Sequence, residues 1–252
     1  MRSDYPREEQ TGQLRQLWKE SFGDTDAFLD IFFSTAFSPD RCRCILLEDR
    51  IAAALYWFDI CWNGLPCAYL YAVATDPAFR GRGLCRTLME DCARILTDAG
   101  YAGALLVPQD EGLRAMYGKM GYRPATCLDE FHCAASGHAI AIQELTAPDY
   151  ASYRRKHLPA GSVIQEGENL AFLSEIARFY QGGRSLAAVS REQEHLRILE
   201  YLGDSYEIAP FIAALGRWEA TVRTPGTGKP FAMYRPLSEH CSPPEYFAFC
   251  FD

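Results

Sequence analysis

Between Tyr69 and Arg86 the chain reads YLYAVATDPAFRGRGLCR. An apolar run ends at Asp76-Pro77, and Arg80, Gly81, Arg82 and Gly83 then lead into a helical pattern that begins with Leu84, Cys85 and Arg86. The first amides of a helix lack intrahelical acceptors, and the helix dipole favours an anion there. Glycine lets the backbone approach a phosphate closely. The three arginines add formal positive charge. These residue types in this order describe a phosphate or pyrophosphate site. The plainer alternative is a glycine turn with solvated arginines. A second patch, VPQDEGLRAMYGKMGY over 107–122, offers a strand end, a short helix and Tyr117.

The two patches together resemble motifs A and B of the GCN5-related N-acetyltransferases (the GNAT family). Motif A has the form Q/R-x-x-G-x-G/A, and here it stands as Arg80-Gly81-Arg82-Gly83-Leu84-Cys85. Cys85 departs from the glycine or alanine of the last position, but it is small enough for its amide to face a phosphate. Motif B, N-x-x-A-x-x-x-Y, becomes Asp110-x-x-Leu113-x-x-x-Tyr117, followed by Met120-Gly121-Tyr122. The resemblance covers roughly residues 8–134. It implies acetyl-CoA as cosubstrate, held by the backbone of Val73, Ala74 and Thr75 and by Arg80, Gly81, Arg82, Gly83, Cys85 and Arg86, with no metal. It further implies direct transfer to a primary amine of a small molecule or peptide, with Tyr117 as general acid. Some family members place a glutamate where this chain has Tyr69, so the base must come from elsewhere. In tandem relatives the last carboxylate reaches the active site, which makes Asp252 the candidate here. The Cys85, Asp110 and Tyr69 departures keep a second class open: an acyl-CoA-binding or sensory protein without turnover.

The elements that must position these residues read as follows. Helices are expected over 8–22 and from Asp24 or Thr25 to before Ser38-Pro39, from the spacing of Leu14, Leu17, Trp18 and Phe22, then Phe28, Ile31, Phe32 and Phe33. Strands over 41–48, 51–62 and 66–75 form a meander, with turns at Asp49-Arg50 and Asn63-Gly64. A helix over 83–99 and a short apolar strand over 102–107 make a crossover, so those strands should pair in parallel. A short helix over 111–119 and two weaker strands in 122–134 follow. Asp129 and Glu130 read as solvated carboxylates.

Ala135-Ser136-Gly137 reads as a boundary, giving domains 1–136 and 137–252. The order beyond it partly repeats: a strand at 139–145, helices near 148–157 and 167–180, strands at 185–190 and 195–202, a helix at 206–215, then strands at 218–224 and 246–251. ALLVPQDEGLRAMYGKMGYRPA and ATVRTPGTGKPFAMYRPL share a strand, a proline turn and an A-M-Y triplet. A diverged duplication is expected, with the second copy lacking the phosphate loop. The fold class is α/β (α+β): a mixed, mostly antiparallel sheet flanked by helices, with a second, smaller GNAT-like domain.

Composition sets outer limits. Of 252 residues, 48% are hydrophobic and 13% aromatic, enough for ordinary cores rather than disorder. A net charge of -8 argues against a general nucleic-acid binder. The ten cysteines show no CxxC pair and read as reduced thiols rather than zinc ligands. MRSDYPREEQ has no apolar leader, and no run reaches the ~18 apolar residues of a membrane span. A cytoplasmic protein is expected, and a homodimer is compatible with all of this.

Overall fold

The computed structural model describes residues 2–191 and 195–251. The chain divides into two units, Met1–Arg123 with Met233–Pro243, and Pro124–Ala232 with Pro244–Asp252. Sequence punctuation had suggested a single cut at 136/137. The strand over 127–134 belongs instead to the second sheet, and a segment beyond residue 232 returns to the first.

The first unit opens with α1 (Thr11–Phe22), entered through a 3₁₀ turn, and α2 (Asp26–Thr35). Gly23 closes α1 in the left-handed conformation, and Thr25 caps α2 by accepting from the Phe28 amide. Asp24 serves differently, accepting from Trp18 Nε1 at 2.7 Å. Next come β1 (Cys42–Leu47), β2 (Arg50–Trp62) and β3 (Leu65–Thr75) as an antiparallel meander. The first turn is centred on Glu48-Asp49, both at positive φ, one residue earlier than expected, and Asn63-Gly64 makes the second. Asp4, within a stretch free of strand signals, makes an antiparallel bridge to Cys44.

Helix α3 (Leu84–Asp98) crosses over to β4 (Gly103–Leu106), which pairs in parallel with β3. The apolar face of α3 buries Leu84, Leu88, Met89, Cys92 and Leu96 against Ala53, Leu55 and Ala68 of the sheet. Each buried leucine contributes roughly 1.5–3 kcal/mol relative to exposure. The opposite face is aromatic: Trp18 packs at 4.6 Å from Phe32, 5.1 Å from Tyr56 and 5.4 Å from Tyr71, ring centre to centre. Helix α4 (Glu111–Gly118) and β5 (Arg123–Pro124) complete this part of the chain.

The second unit contains β6 (Cys127–Ala134), β7 (Ile142–Leu145), α5 (Ala147–His157), α6 (Glu168–Ile176), β8 (Ala177–Gly182), β9 (Ser185–Ser190), β10 (Arg197–Leu202), α7 (Ile208–Ala214), β11 (Glu219–Pro225) and β12 (Lys229–Pro230). Then β13 (Met233–Pro236) pairs antiparallel with β4. The sheet orders are β1-β2-β3-β4-β13-β5 and β12-β6-β11-β10-β9-β8-β7. Strands β8 to β11 repeat the order and sense of β1 to β4: two antiparallel pairings and then a parallel one.

Three expectations fail here. The helix near 167–180 stops at Ile176, because Ala177 turns extended and starts β8. The A-M-Y triplets are not equivalent, since Ala115–Tyr117 is helical and Met233-Tyr234 is strand. The stretch 246–251 is no strand. Tyr246 makes one bridge to Ser162, and the Gln165 side chain takes both backbone groups of Phe249. Its unbroken apolar run reflects burial on all sides rather than a sheet face.

Two close fits carry measurable consequences. A Cβ on Gly103 would lie 2.6 Å from Cys241 Sγ and 2.8 Å from Trp62 Cζ2. Gly103→Ala should cost about 1–3 kcal/mol, read as a lower denaturant midpoint and partly recovered by adding Cys241→Ala. In the second unit Arg154 holds Glu200 through two bonds of 2.7 and 2.9 Å, and Tyr150 donates to the same carboxylate at 2.7 Å. Glu200→Gln leaves a buried guanidinium without its counter-charge and should destabilise by about 3–5 kcal/mol, measured by the same unfolding curves.

Candidate active site

The pairing of β3 with β4 runs through Cys67↔Gly103, Ala68↔Ala104 and Tyr69↔Leu105, and stops. Beyond Tyr69 the third strand bulges: Ala54 pairs with Ala74 but Tyr56 with Tyr71, so β3 carries an extra residue, and Ala72 takes a φ of 46°. The bulge turns the strand away from β4. It leaves the stretch through Val73 and Ala74 with a backbone edge that β4 does not satisfy.

A turn then delivers the chain to α3. The Asp76 carboxylate accepts from the Ala78 amide at 2.8 Å and from Arg50 at 3.0 Å. Phe79 is buried, with the guanidinium of Arg82 5.2 Å and that of Arg50 5.7 Å from its ring centre. Arg80 Nε donates to the Thr75 carbonyl at 3.2 Å. Gly81 and Gly83 both sit at φ 76°, a conformation that side chains disfavour, and a Cβ on either would meet nothing within 4 Å. Two left-handed glycines thus face open space at the start of α3, where Gly83 caps the helix without a side chain. Arg86 stands in the first turn, 3.9 Å from Glu90 and half-exposed.

Tyr117 closes the far side. Its ring is 6% exposed and packs in the cluster that holds Leu84, Leu88, Met120 and Tyr122, with Val73 and Cys85 at its margin. Tyr122 meets it edge-on at 5.9 Å. Burial pushes the Tyr117 phenol well above its ordinary value, and the nearby Cys85 adds to the rise. Burial likewise raises the Cys85 thiol, which is no nucleophile in waiting. Asp110 caps α4, its carboxylate accepting from the Leu113 amide at 2.7 Å. The departure from asparagine at this position therefore preserves a helix cap.

One cluster accordingly brings together Val73, Cys85 and Tyr117, and the chain carries Ala74, Thr75, Arg80, Gly81, Arg82, Gly83 and Arg86 directly along its rim. Tyr69 is buried beside Phe58, with no carboxylate in its place. Asp252 lies outside the described residues. Asp129 and Glu130 are not merely solvated: Glu130 pairs with Arg223 and Lys229, and Asp129 accepts from the Gly228 amide. The sequence reading overlooked Arg50, Asp76 and Phe79 as the frame of the loop. Asp-Pro-Ala at 76–78 is the signal that could have shown part of it, since aspartate before proline opens such turns. No group of three metal-ligating side chains occurs among the described residues. None of their helices is long and apolar enough to cross a membrane.

The first unit thus carries a splayed strand pair, a left-handed glycine loop at a helix start and a buried phenol. Comparison with known proteins narrows the reading. The model of the acetyltransferase (GNAT) domain matches residues 4–125, so this stretch is similar to the acetyltransferase (GNAT) domain. N-acetyltransferase Eis of Mycobacterium tuberculosis is 39% identical over 85 residues, a match spanning 30% of this chain and 20% of that protein. The chain thus matches about a fifth of the length of these curated relatives. A GCN5-related N-acetyltransferase from Anabaena variabilis superposes with a TM-score of 0.76 over 94% of this chain and 73% of its own, at 16% identity. A tandem GNAT protein from the clavulanic acid biosynthesis pathway gives 0.58 over 94% and 98%, at 11% identity. At these identities the two structures establish the fold across both units.

The buried phenols set an alkaline limit. Tyr117 and Tyr122 both have folded values above the unfolded phenol, chiefly through burial. Their contribution to stability is intact below about pH 10 and is lost as pH rises above it. The denaturant midpoint should begin to fall near pH ~8, where unfolded thiols ionise and the buried Cys42, Cys44, Cys67 and Cys92 resist doing so, and fall more steeply above about 10, with phenolate absorbance appearing together with unfolding. Tyr117→Phe should make that fall shallower.

Proposed function

We propose that this chain transfers an acetyl group from acetyl-CoA to a primary amine of a small molecule or peptide. The observation that carries the reading is the juxtaposition of the unpaired β3 edge at Val73–Ala74, the left-handed glycine loop and the buried Tyr117. Acetyl-CoA fits this set of groups and would supply an activated thioester. The exposed amides at Gly81–Cys85 suit a pyrophosphate, and Arg80, Arg82 and Arg86 supply charge around them. Arg80 and Arg82 are already held, by the Thr75 carbonyl and the Phe79 ring, so less of their freedom is lost on binding. The backbone at Val73, Ala74 and Thr75 offers hydrogen bonds to an extended chain and to a developing oxyanion. Tyr117 remains protonated at neutral pH and donates its proton to the departing sulfur.

Tyr69 supplies no base. We assign proton removal from the amine to a water relay. The second unit reads as a degenerate copy of the first: it keeps the strand order and sense, while Asp204 and Ser205 stand where the first unit has its glycine loop. The ten cysteines form no disulfide, which suits a reducing, cytoplasmic site of action.

Thiol release from acetyl-CoA in the presence of a panel of primary amines tests the reading. Turnover should appear with at least one amine. Tyr117→Phe should lower kcat by about 100-fold with little change in KM for acetyl-CoA. Saturable acetyl-CoA binding without turnover on any amine would favour the acyl-CoA-binding, sensory alternative, for which the missing carboxylate at Tyr69 is the supporting observation.

A further inference from the structure

The second unit has its own diverging strand pair. β10 and β11 are parallel at Arg197↔Thr221 and Ile198↔Val222 and then separate, and β10 gains an extra residue between Ile198 and Glu200 just as β3 does. A cleft of about 560 Å³ opens at the divergence. It is lined by Tyr201 and Ser205 at the end of β10, Thr224 of β11, Asp129 and Phe131 of β6, and His157 at the end of α5.

This cleft cannot be a second phosphate site. Where the first unit has two left-handed glycines, the chain here runs through Asp204, whose carboxylate takes the Tyr206 amide at 2.9 Å. An acid at that point repels an anion, and the amide is no longer free.

Beside the hydroxyls of Ser205 and Thr224, which can donate or accept, the cleft presents two acceptors. Asp129 uses Oδ1 for the Gly228 amide at 2.8 Å, a contact that does not use Oδ2. His157 Nδ1 lies 2.9 Å from the Tyr153 carbonyl, which can only accept, so Nδ1 is the donor and Nε2 is the ring nitrogen that can accept. The Tyr201 hydroxyl already donates to the Asp204 carbonyl. Phe131 is 38% exposed, unusual for so large an apolar group, and Ile208 and Pro225 extend the apolar wall. A carboxylate and an imidazole acceptor beside an exposed phenyl ring fit a hydrogen-bond donor with positive charge and an apolar body.

We propose that this cleft binds a protonated amine carrying an aromatic or aliphatic body, at a site separate from the transferase centre. The ammonium group bonds Asp129 and His157 Nε2, and the body packs on Phe131. The inference stands on the second unit alone and does not depend on turnover at Tyr117.

Calorimetry on the full chain with 2-phenylethylamine, 2-phenylethanol and 3-phenylpropanoate tests it. The amine should bind about tenfold more tightly than the alcohol, and the carboxylate more weakly than either. Asp129→Asn keeps an oxygen for the Gly228 amide, so the fold is retained, and it should remove the preference for the amine. Ser205→Trp fills the cleft from an exposed position and should abolish binding while acetyl-CoA turnover is unchanged. Equal affinity for amine and alcohol, a preference for the carboxylate, no saturable binding, or amine binding that survives Ser205→Trp would each overturn the proposal.

Discussion

The first unit depends on the end of a hydrogen-bond ladder. β3 and β4 share three residue pairs and then part, because the bulge at Ala72 turns β3 away while β4 continues against β13. Backbone groups seldom go unpaired away from water. A sheet that opens in its interior therefore requires something polar and extended to complete it. The glycine loop and α3 begin shortly after the strand ends. Tyr117 of α4 packs in the apolar cluster that holds Leu84, with Cys85 at its margin. Most of the remaining packing in this unit keeps the opening in shape: α3 on one face of the sheet, the rings around Trp18 on the other.

The second unit keeps the divergence and changes what surrounds it. Its third strand also bulges and its parallel pairing is shorter still. On the face covered by α5, the buried pair of Arg154 and Glu200, with Tyr150, fills the space with its own charges. Arg154 also lies 4.6 Å from the Phe249 ring centre, and Gln165 clamps the same residue by its backbone. A buried pair of this kind adds little net stability but penalises any arrangement that separates it. Here it ties α5, β10 and the segment after Pro244 into one register. The same topology thus carries a left-handed glycine loop in one unit and an aspartate-capped turn in the other, and the difference rests on a few residues after the third strand.

Electrostatics follow the same local logic. A chain of net charge -8 concentrates three arginines within seven residues. Two of them are restrained before any ligand arrives: Arg80 by a carbonyl, Arg82 by the ring of Phe79. Arg50 works from behind, pairing Asp76 and lying over the same ring. The framework of the loop is therefore a second layer of charge and aromatic contact, supplied by β2 and the turn before the helix.

Much of this was legible in the residues themselves. Asn63-Gly64 fixed a hairpin because both positions need positive φ, and the period of Leu84, Leu88, Cys92 and Leu96 fixed α3. Gly81 and Gly83 before a helix marked a left-handed turn into α3 because backbone freedom is a local property. The sequence misled where pairing is non-local. It put the strand over 127–134 in the wrong sheet, read the apolar run 246–251 as a strand, and matched an A-M-Y triplet across a helix and a strand. Local periodicity reports which faces are buried and not which neighbour buries them. The bulge at Ala72, the roles of Arg50 and Phe79 around the loop, and the pairing of Arg154 with Glu200 exist only once distant strands and helices meet. The residues from Tyr69 to Arg86 were thus sufficient to indicate what the site could hold, but only the packing of β3 against β4 and β2 determined that the strand would open there, because a ladder's end is set by both of its partners.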